Sequence, residues 1–412
     1  MSASVRLLSM EWMPMLAPAI STVTFYANVT DNTAVDCHAT TKALLQSRID
    51  AIVQANPWVT GRMTSGWFGS NLTLHFDPNA TTLPLEEAII PNLSPDLDYN
   101  EIVKLCTPLE VHGGSAELNK DEPLLRIHWI TISDTRGALF VSFSHGLGDG
   151  YTYYRLYGML NPSSPIEALN PHRIPDFGTM SEEAIKGGND GAALMKSLPF
   201  LLNMAGNMIG GRKHRIVVRT MNARWIEAEK KRFKESSVAG FVSTNDIVTS
   251  WLYRLSGCQS RNLLAYYETI LGFQPEDYAT PALIRESLAV NGFRRARSGK
   301  FPWMFQGTSA AVTSWATVYK SVDLPGLCMV QHLPIVASEV PFTSAAIIFQ
   351  RTPTSIGVLR WSARRLRSST GSLRNYHVNV LHELNPTISG FAQTAHEMTT
   401  FRNCNWSYRC YE

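Results

Sequence analysis

The chain has 412 residues, 44% of them hydrophobic and 17% charged, the balance of a folded globular protein long enough for two domains. A net charge of +3 excludes the strong basicity of a dedicated nucleic-acid binder, so no nucleic-acid partner is expected. The six cysteines (Cys37, Cys106, Cys258, Cys328, Cys404 and Cys410) include no CxxC pair, which argues against a zinc ribbon or a redox motif and fits reduced thiols. Only Cys404 and Cys410 stand close enough in sequence to suggest a bridge.

The N-terminal apolar stretch is broken by Arg6, Glu11, Pro14 and Pro18 and does not read as a secretory signal; the expected location is cytoplasmic. Residues 41–55 have helical periodicity, with Leu44, Leu45, Ile49, Ile52 and Val53 on one face, and Asn56-Pro57 ends that helix. Residues 124–133 and 138–143 are rich in branched and aromatic side chains and predict two strands, joined by turn residues 134–137. A glycine-rich loop, SHGLGDG, follows, and then a helix over 151–160. From 161 to 191 the prolines at 162, 165, 171 and 175 predict an ordered connection between two domains, 1–180 and 181–412.

Residues 191–211 are apolar but interrupted by Lys196, Pro199, Asn203, Asn207 and four glycines. A buried helix or helical hairpin is the first reading there, and a helix lying on a membrane surface, giving peripheral contact, is the second. Residues 215–226 read as a strand and 227–234 as a short charged helix. Ser243-Thr244-Asn245-Asp246 is a helix-start signal, and 310–317 and 344–350 are further strand candidates. Two arginine clusters, one at 294–300 and one at 360–374, read as solvated faces.

The chemistry concentrates in His145-Gly146-Leu147-Gly148-Asp149-Gly150, between a predicted strand and a predicted helix. An imidazole titrates near neutrality and so can accept and return a proton. The glycines at 146, 148 and 150 let the backbone turn tightly and a substrate approach closely. Asp149 anchors the loop through a charged hydrogen bond, or simply caps the following helix. No second histidine or carboxylate stands at ligand spacing, so a metal site is the poorer reading.

This loop with its preceding strand ALFVSF resembles the HxxxDG motif of the chloramphenicol-acetyltransferase-like superfamily, which includes the BAHD acyltransferases and the condensation domains of peptide synthesis. Three further segments agree in order: 51–63 (AIVQANPWVTGRM), 243–254 (STNDIVTSWLYR) and Thr313-Ser314-Trp315. The resemblance implies an α/β fold class, with two such subdomains of mixed sheets and an active-site channel at their interface. It implies His145 as general base, Asp149 as a structural aspartate paired with an arginine, and Thr313 and Trp315 as oxyanion donors. It also implies coenzyme A as a thioester co-substrate, with no bound cofactor, and a small alcohol or amine as acceptor. The chain departs from the family in lacking an Asn-x-Arg-Gly-Arg stretch and the DFGWG motif, which marks it as divergent. Two functions therefore stand: an acyl-CoA-dependent acyltransferase, expected to be monomeric, and a non-catalytic acyl or lipid binder of the same fold.

Overall fold

The computed structural model describes residues 2–8, 18–29, 37–66, 71–176, 214–235, 237, 240–255, 310–336 and 344–363, with isolated positions at 11, 198, 202, 205, 206, 281, 282 and 285. All of these belong to one compact unit, Met1–Ala363; residues 364–412 form a second unit outside the described residues. Cys404 and Cys410 fall there, and nearly all of 191–211 also lies outside the described residues.

In chain order the elements are β1 (Ala3–Arg6), β2 (Ile20–Asn28), α1 (Cys37–Ala55), β3 (Arg62–Thr64), β4 (Thr73–Phe76), β5 (Glu86–Ile89) and α2 (Tyr99–Cys106). Then come β6 (Leu125–Ser133), β7 (Arg136–Phe143), α3 (Gly150–Met159), β8 (His214–Thr220), α4 (Ala223–Lys234) and α5 (Thr244–Leu255). The last are β9 (Ala310–Ser314), β10 (Leu327–Ile335), β11 (Ser344–Thr352) and β12 (Ser355–Ala363). Among the described residues no helix is long and apolar enough to cross a membrane.

The main sheet has five strands in the order β10-β2-β7-β6-β5, antiparallel except for the parallel β5–β6 pair. Its edge strand β10 comes from the second half of the chain, placing Pro334 opposite Thr22. A second sheet, β8-β12-β11-β9, pairs β9 parallel to β11 and is otherwise antiparallel. A small antiparallel sheet, β1-β4-β3, stands beside them.

Because side chains alternate along a strand, each sheet serves two cores. One face of the five-stranded sheet packs Tyr26, Trp129, Leu139 and Val141 against Leu45, Ile49, Ile52 and Val53 of α1 and the tyrosines of α3. Its other face packs Val23, Phe25, Ile130, Phe140 and Leu333 against Ile347, Phe349 and Leu359 of the four-stranded sheet, with α2 filling one side. The far face of that second sheet carries Ala346, Ile348 and Val358 against Ile226 of α4 and Val248 and Leu252 of α5. Among the described residues the result is four layers, helices–sheet–sheet–helices, around three apolar cores.

The periodic face expected in 41–55 is the buried one, and Asn56 ends α1 while binding the 161–176 connection through Glu167 O (2.8 Å) and Leu169 N (2.7 Å). Two expected boundaries are corrected. The strand read over 215–226 stops at Thr220, because the Asn222 side chain accepts from Trp225 N (3.1 Å) and starts α4 there. The strand read over 310–317 stops at Ser314, so Trp315 lies in the turn beyond it. The start of α5 behaves as expected: Ser243 and Asp246 form a reciprocal capping box, Ser243 N to Asp246 Oδ2 at 2.6 Å and Asp246 N to Ser243 Oγ at 3.2 Å. The fully buried Asp246 carboxylate also pairs with Arg285 at 2.6 Å.

Candidate active site

Strand β7 leaves the sheet at Phe143 and delivers the chain into the loop 144–149. Ser144 is fully buried, and its N–H still bonds Leu124 O at 2.8 Å. Its hydroxyl does two things at once, donating to Glu117 Oε2 at 2.5 Å and accepting from Gly146 N at 3.1 Å. Glu117 is itself fully buried and takes a second bond from Gly113 N at 2.8 Å. Burial pushes its carboxyl above the usual range, while the bonds from Ser144 and Gly113 pull it back. A single buried acid, distant in sequence, thus fixes the residue before His145 and the residue after it.

Leu147 anchors the loop in the first core, and Arg173 of the 161–176 connection donates to Leu147 O at 3.4 Å while pairing with Glu11 at 2.8 Å. Asp149 caps α3, accepting from Thr152 N at 2.9 Å and Thr152 Oγ1 at 3.1 Å. Its side chain is exposed, and among the described residues no arginine bonds it. Glycine matters differently at the two following positions. A β-carbon at Gly148 would meet Thr152 Cβ at 2.8 Å, whereas one at Gly150 would meet nothing closer than Trp315 Nε1 at 3.7 Å. Gly148→Ala is therefore expected to lower stability by roughly 1–3 kcal/mol and Gly150→Ala by less than about 0.5 kcal/mol. Urea midpoints of the two variants check this; equal losses would contradict the packing of Gly148 on Thr152.

His145 is half-buried, and its buried Nδ1 has no hydrogen-bond partner among the described residues. Burial pushes the imidazole below its ordinary value near 6.5; the Asp149 carboxylate and a backbone contact with Gly148 act against that. The neutral, proton-accepting form therefore prevails at pH 7.

The second half of the chain reaches this loop through Trp315. Its N–H and that of Ala316 donate to Ile348 O on β11 (2.7 and 3.1 Å), and the indole lies against Gly150 and edge-on to Tyr154. Thr313 stands two residues earlier on β9, opposite Ile347, with an exposed side chain. Between them the Ser314 hydroxyl is buried with no partner among the described residues. The structure thus brings Trp315 to the end of the His145 loop, while Thr313 makes no described bond to it.

Behind Trp315 runs a buried polar chain with no local signal in the sequence. Tyr154 OH bonds His332 Nε2 at 3.0 Å, His332 Nδ1 bonds Thr24 Oγ1 at 2.8 Å, and Thr24 Oγ1 bonds Tyr157 OH at 2.6 Å. Thr22 Oγ1 and Tyr153 OH make a parallel bond at 2.6 Å. These bonds satisfy polar groups of β2, β10 and α3 that would otherwise cost free energy in a dry core. Among the described residues no group of three or more His, Cys, Asp or Glu side chains is placed to hold a metal ion.

No family model matches the chain, and no curated protein matches it in sequence. Similarity is found among solved structures. TRI101 of F. graminearum, solved with ethyl coenzyme A, is 11% identical with a TM-score of 0.54, covering 89% of this chain and 96% of that one. Polyketide synthase associated protein 5 of Mycobacterium tuberculosis is 12% identical with a TM-score of 0.51, covering 89% and 95%. The condensation domain of the monacolin K polyketide synthase MokA is 11% identical with a TM-score of 0.51, covering 88% and 92%. At such identities the likeness is one of fold: the chain has the chloramphenicol-acetyltransferase-like α/β fold that its motifs imply.

Proposed function

We propose that this protein is an acyltransferase that moves an acyl group from an acyl-coenzyme A thioester to the hydroxyl or amine of a small molecule. One observation carries the reading: an indole from the other half of the chain lies against Gly150, at the end of the HxxxDG loop that carries the half-buried, neutral His145. The fold adds support, since TRI101 of F. graminearum has been solved with coenzyme A together with T-2 mycotoxin. The division into 1–180 and 181–412 belongs to the same reading, with the catalytic loop and Trp315 contributed from opposite sides of it.

In this mechanism His145 takes the proton from the acceptor O–H or N–H as that atom attacks the thioester carbonyl. The carbon–oxygen double bond becomes a tetrahedral oxyanion, held by the Trp315 indole N–H and the Thr313 hydroxyl. Collapse expels the coenzyme A thiolate, which leaves with the proton from the imidazolium. The Glu117–Ser144 pair holds the loop through these steps, and Asp149 steadies the start of α3.

The test is thiol release from a panel of acyl-coenzyme A donors with mixed alcohols and amines. Acceptor-dependent release is expected, and Trp315→Phe should lower it by about 10²–10³-fold, the cost of one lost oxyanion donor. Saturable acyl-coenzyme A binding without release from any donor would instead identify a binding protein of this fold.

A further inference from the structure

On the face of the five-stranded sheet opposite α3, the second core is hollow at its edge. A cavity of about 340 Å³ opens among the start of α2, β8 and facing positions of β10 and β11. Its polar lining includes Arg351, Arg219, Gln331, Asn100 and Asp98. It shares no residue with the His145 loop. Gln331 pairs with Phe25, which in turn pairs with Ala138, five residues before Phe143 where that loop begins. At about 3.4 Å per residue the separation is roughly 17 Å along the strands.

Arg351 is built into this cavity. Its Nε and Nη2 donate to Gln331 Oε1 at 3.2 and 3.0 Å, and its Nη1 donates to Thr220 Oγ1 at 2.9 Å. Gln331 is 8% exposed and rigidly placed in β10, so it holds the guanidinium in one orientation. Both acceptors are neutral, and among the described residues no carboxylate pairs with Arg351. Partial burial pushes this guanidinium below its ordinary value. Five N–H donors belong to a guanidinium, and three are used here. A second cation, Arg219, lines the same space. The one carboxylate of the lining, Asp98, caps α2, its Oδ1 accepting from Asn100 N and Nδ2, both at 2.9 Å, and makes no ion pair with Arg351.

We propose that this cavity is a second ligand site, taking a small molecule through an oxoanion, either carboxylate or phosphate, held by Arg351 with Arg219 beside it. A guanidinium pre-oriented by two neutral acceptors, with two further N–H donors, suits the planar edge of such a group. The volume exceeds that of the bare ion, leaving room for a small organic body against Tyr99, Ile102 and Leu333.

The experiment is calorimetric titration of the full chain, at low ionic strength, with inorganic phosphate in one arm and acetate in the other. Saturable binding of either anion is expected, and the arm that binds names the source. Arg351→Gln should weaken it about ten- to hundredfold. Arg219→Ala, at an exposed position, should weaken it about threefold while leaving the melting temperature unchanged, which separates lost binding from lost fold. His145→Ala should leave the affinity as it is. Absence of saturable binding in both arms, equal affinity in wild type and both arginine variants, or loss of binding in His145→Ala would each overturn the proposal.

Discussion

His145→Ala is expected to lower acceptor-dependent thiol release by about 10²–10⁴-fold, the range general base catalysis supplies. The fold should survive, because the histidine's Nδ1 has no hydrogen-bond partner among the described residues and the loop is held by Ser144, Glu117 and Leu147 instead. The loss should fall on kcat, with KM for the donor little changed, since the imidazole acts on a proton that moves in the transition state. The pH profile offers an independent check. The working form is the neutral imidazole, and burial pushes its pKa down, so the acid limb of kcat/KM should lie below pH 6.5. An acid limb above pH 6.5, or full activity in the alanine variant, would remove His145 from the base role.

Acid sensitivity of the fold is the second large effect expected, and it arises from His332. This imidazole is fully buried between Thr24 and Tyr154, and burial pushes its pKa down to about 3. In the unfolded chain it takes up a proton near pH 6.5, while in the folded chain it stays neutral until about pH 3. Its contribution to stability is therefore complete above pH 6.5 and is lost as the pH falls through that window. The slope is about 1.4 kcal/mol per pH unit, and the whole effect is roughly 4–5 kcal/mol. Glu110 and Glu117 work in the opposite sense, since burial raises their carboxyls, Glu110 to about 7. A comparison of wild type with His332→Gln isolates the histidine. Between pH 6 and 4.5 the wild type should lose about 2 kcal/mol more than the variant in urea titrations. Parallel losses would show that His332 does not titrate on unfolding.

Both histidines show where the sequence could be read and where it could not. The loop of His145 was legible because its information is local: a strand of branched residues, a glycine-rich turn and a helix start within a short stretch. The same holds for α1, whose apolar face repeats at helical spacing, and for α5, whose capping box lies within four residues. His332 carries no such signal. It lies in β10, where Pro334 argues against a central strand, yet β10 is an edge strand, and an edge tolerates a proline that cannot donate to a ladder. Strand β2 is masked differently. Both of its faces are buried, and Thr22 and Thr24 sit in the core because tyrosines of α3 meet their hydroxyls. Glu117 is the hardest of all, since its partner Ser144 lies 27 residues away and neither residue is unusual alone.

The origin of β10 has a consequence for how this protein is made. Strand β2 is pairable on one side by β7 as soon as residue 143 has left the ribosome, but its other partner is not synthesised until residue 335. Across that interval of nascent chain, β2 offers an unpaired row of N–H and C=O groups with apolar Val23 and Phe25 beside them. Such an edge is a template for pairing with another chain. Long-range closure of this kind also slows folding, because loop entropy is spent before the contacts that repay it can form. The late arrival of one strand thus ties completion of the first sheet to translation of the second half, and makes the N-terminal nascent chain the stage at which chaperone cover matters most.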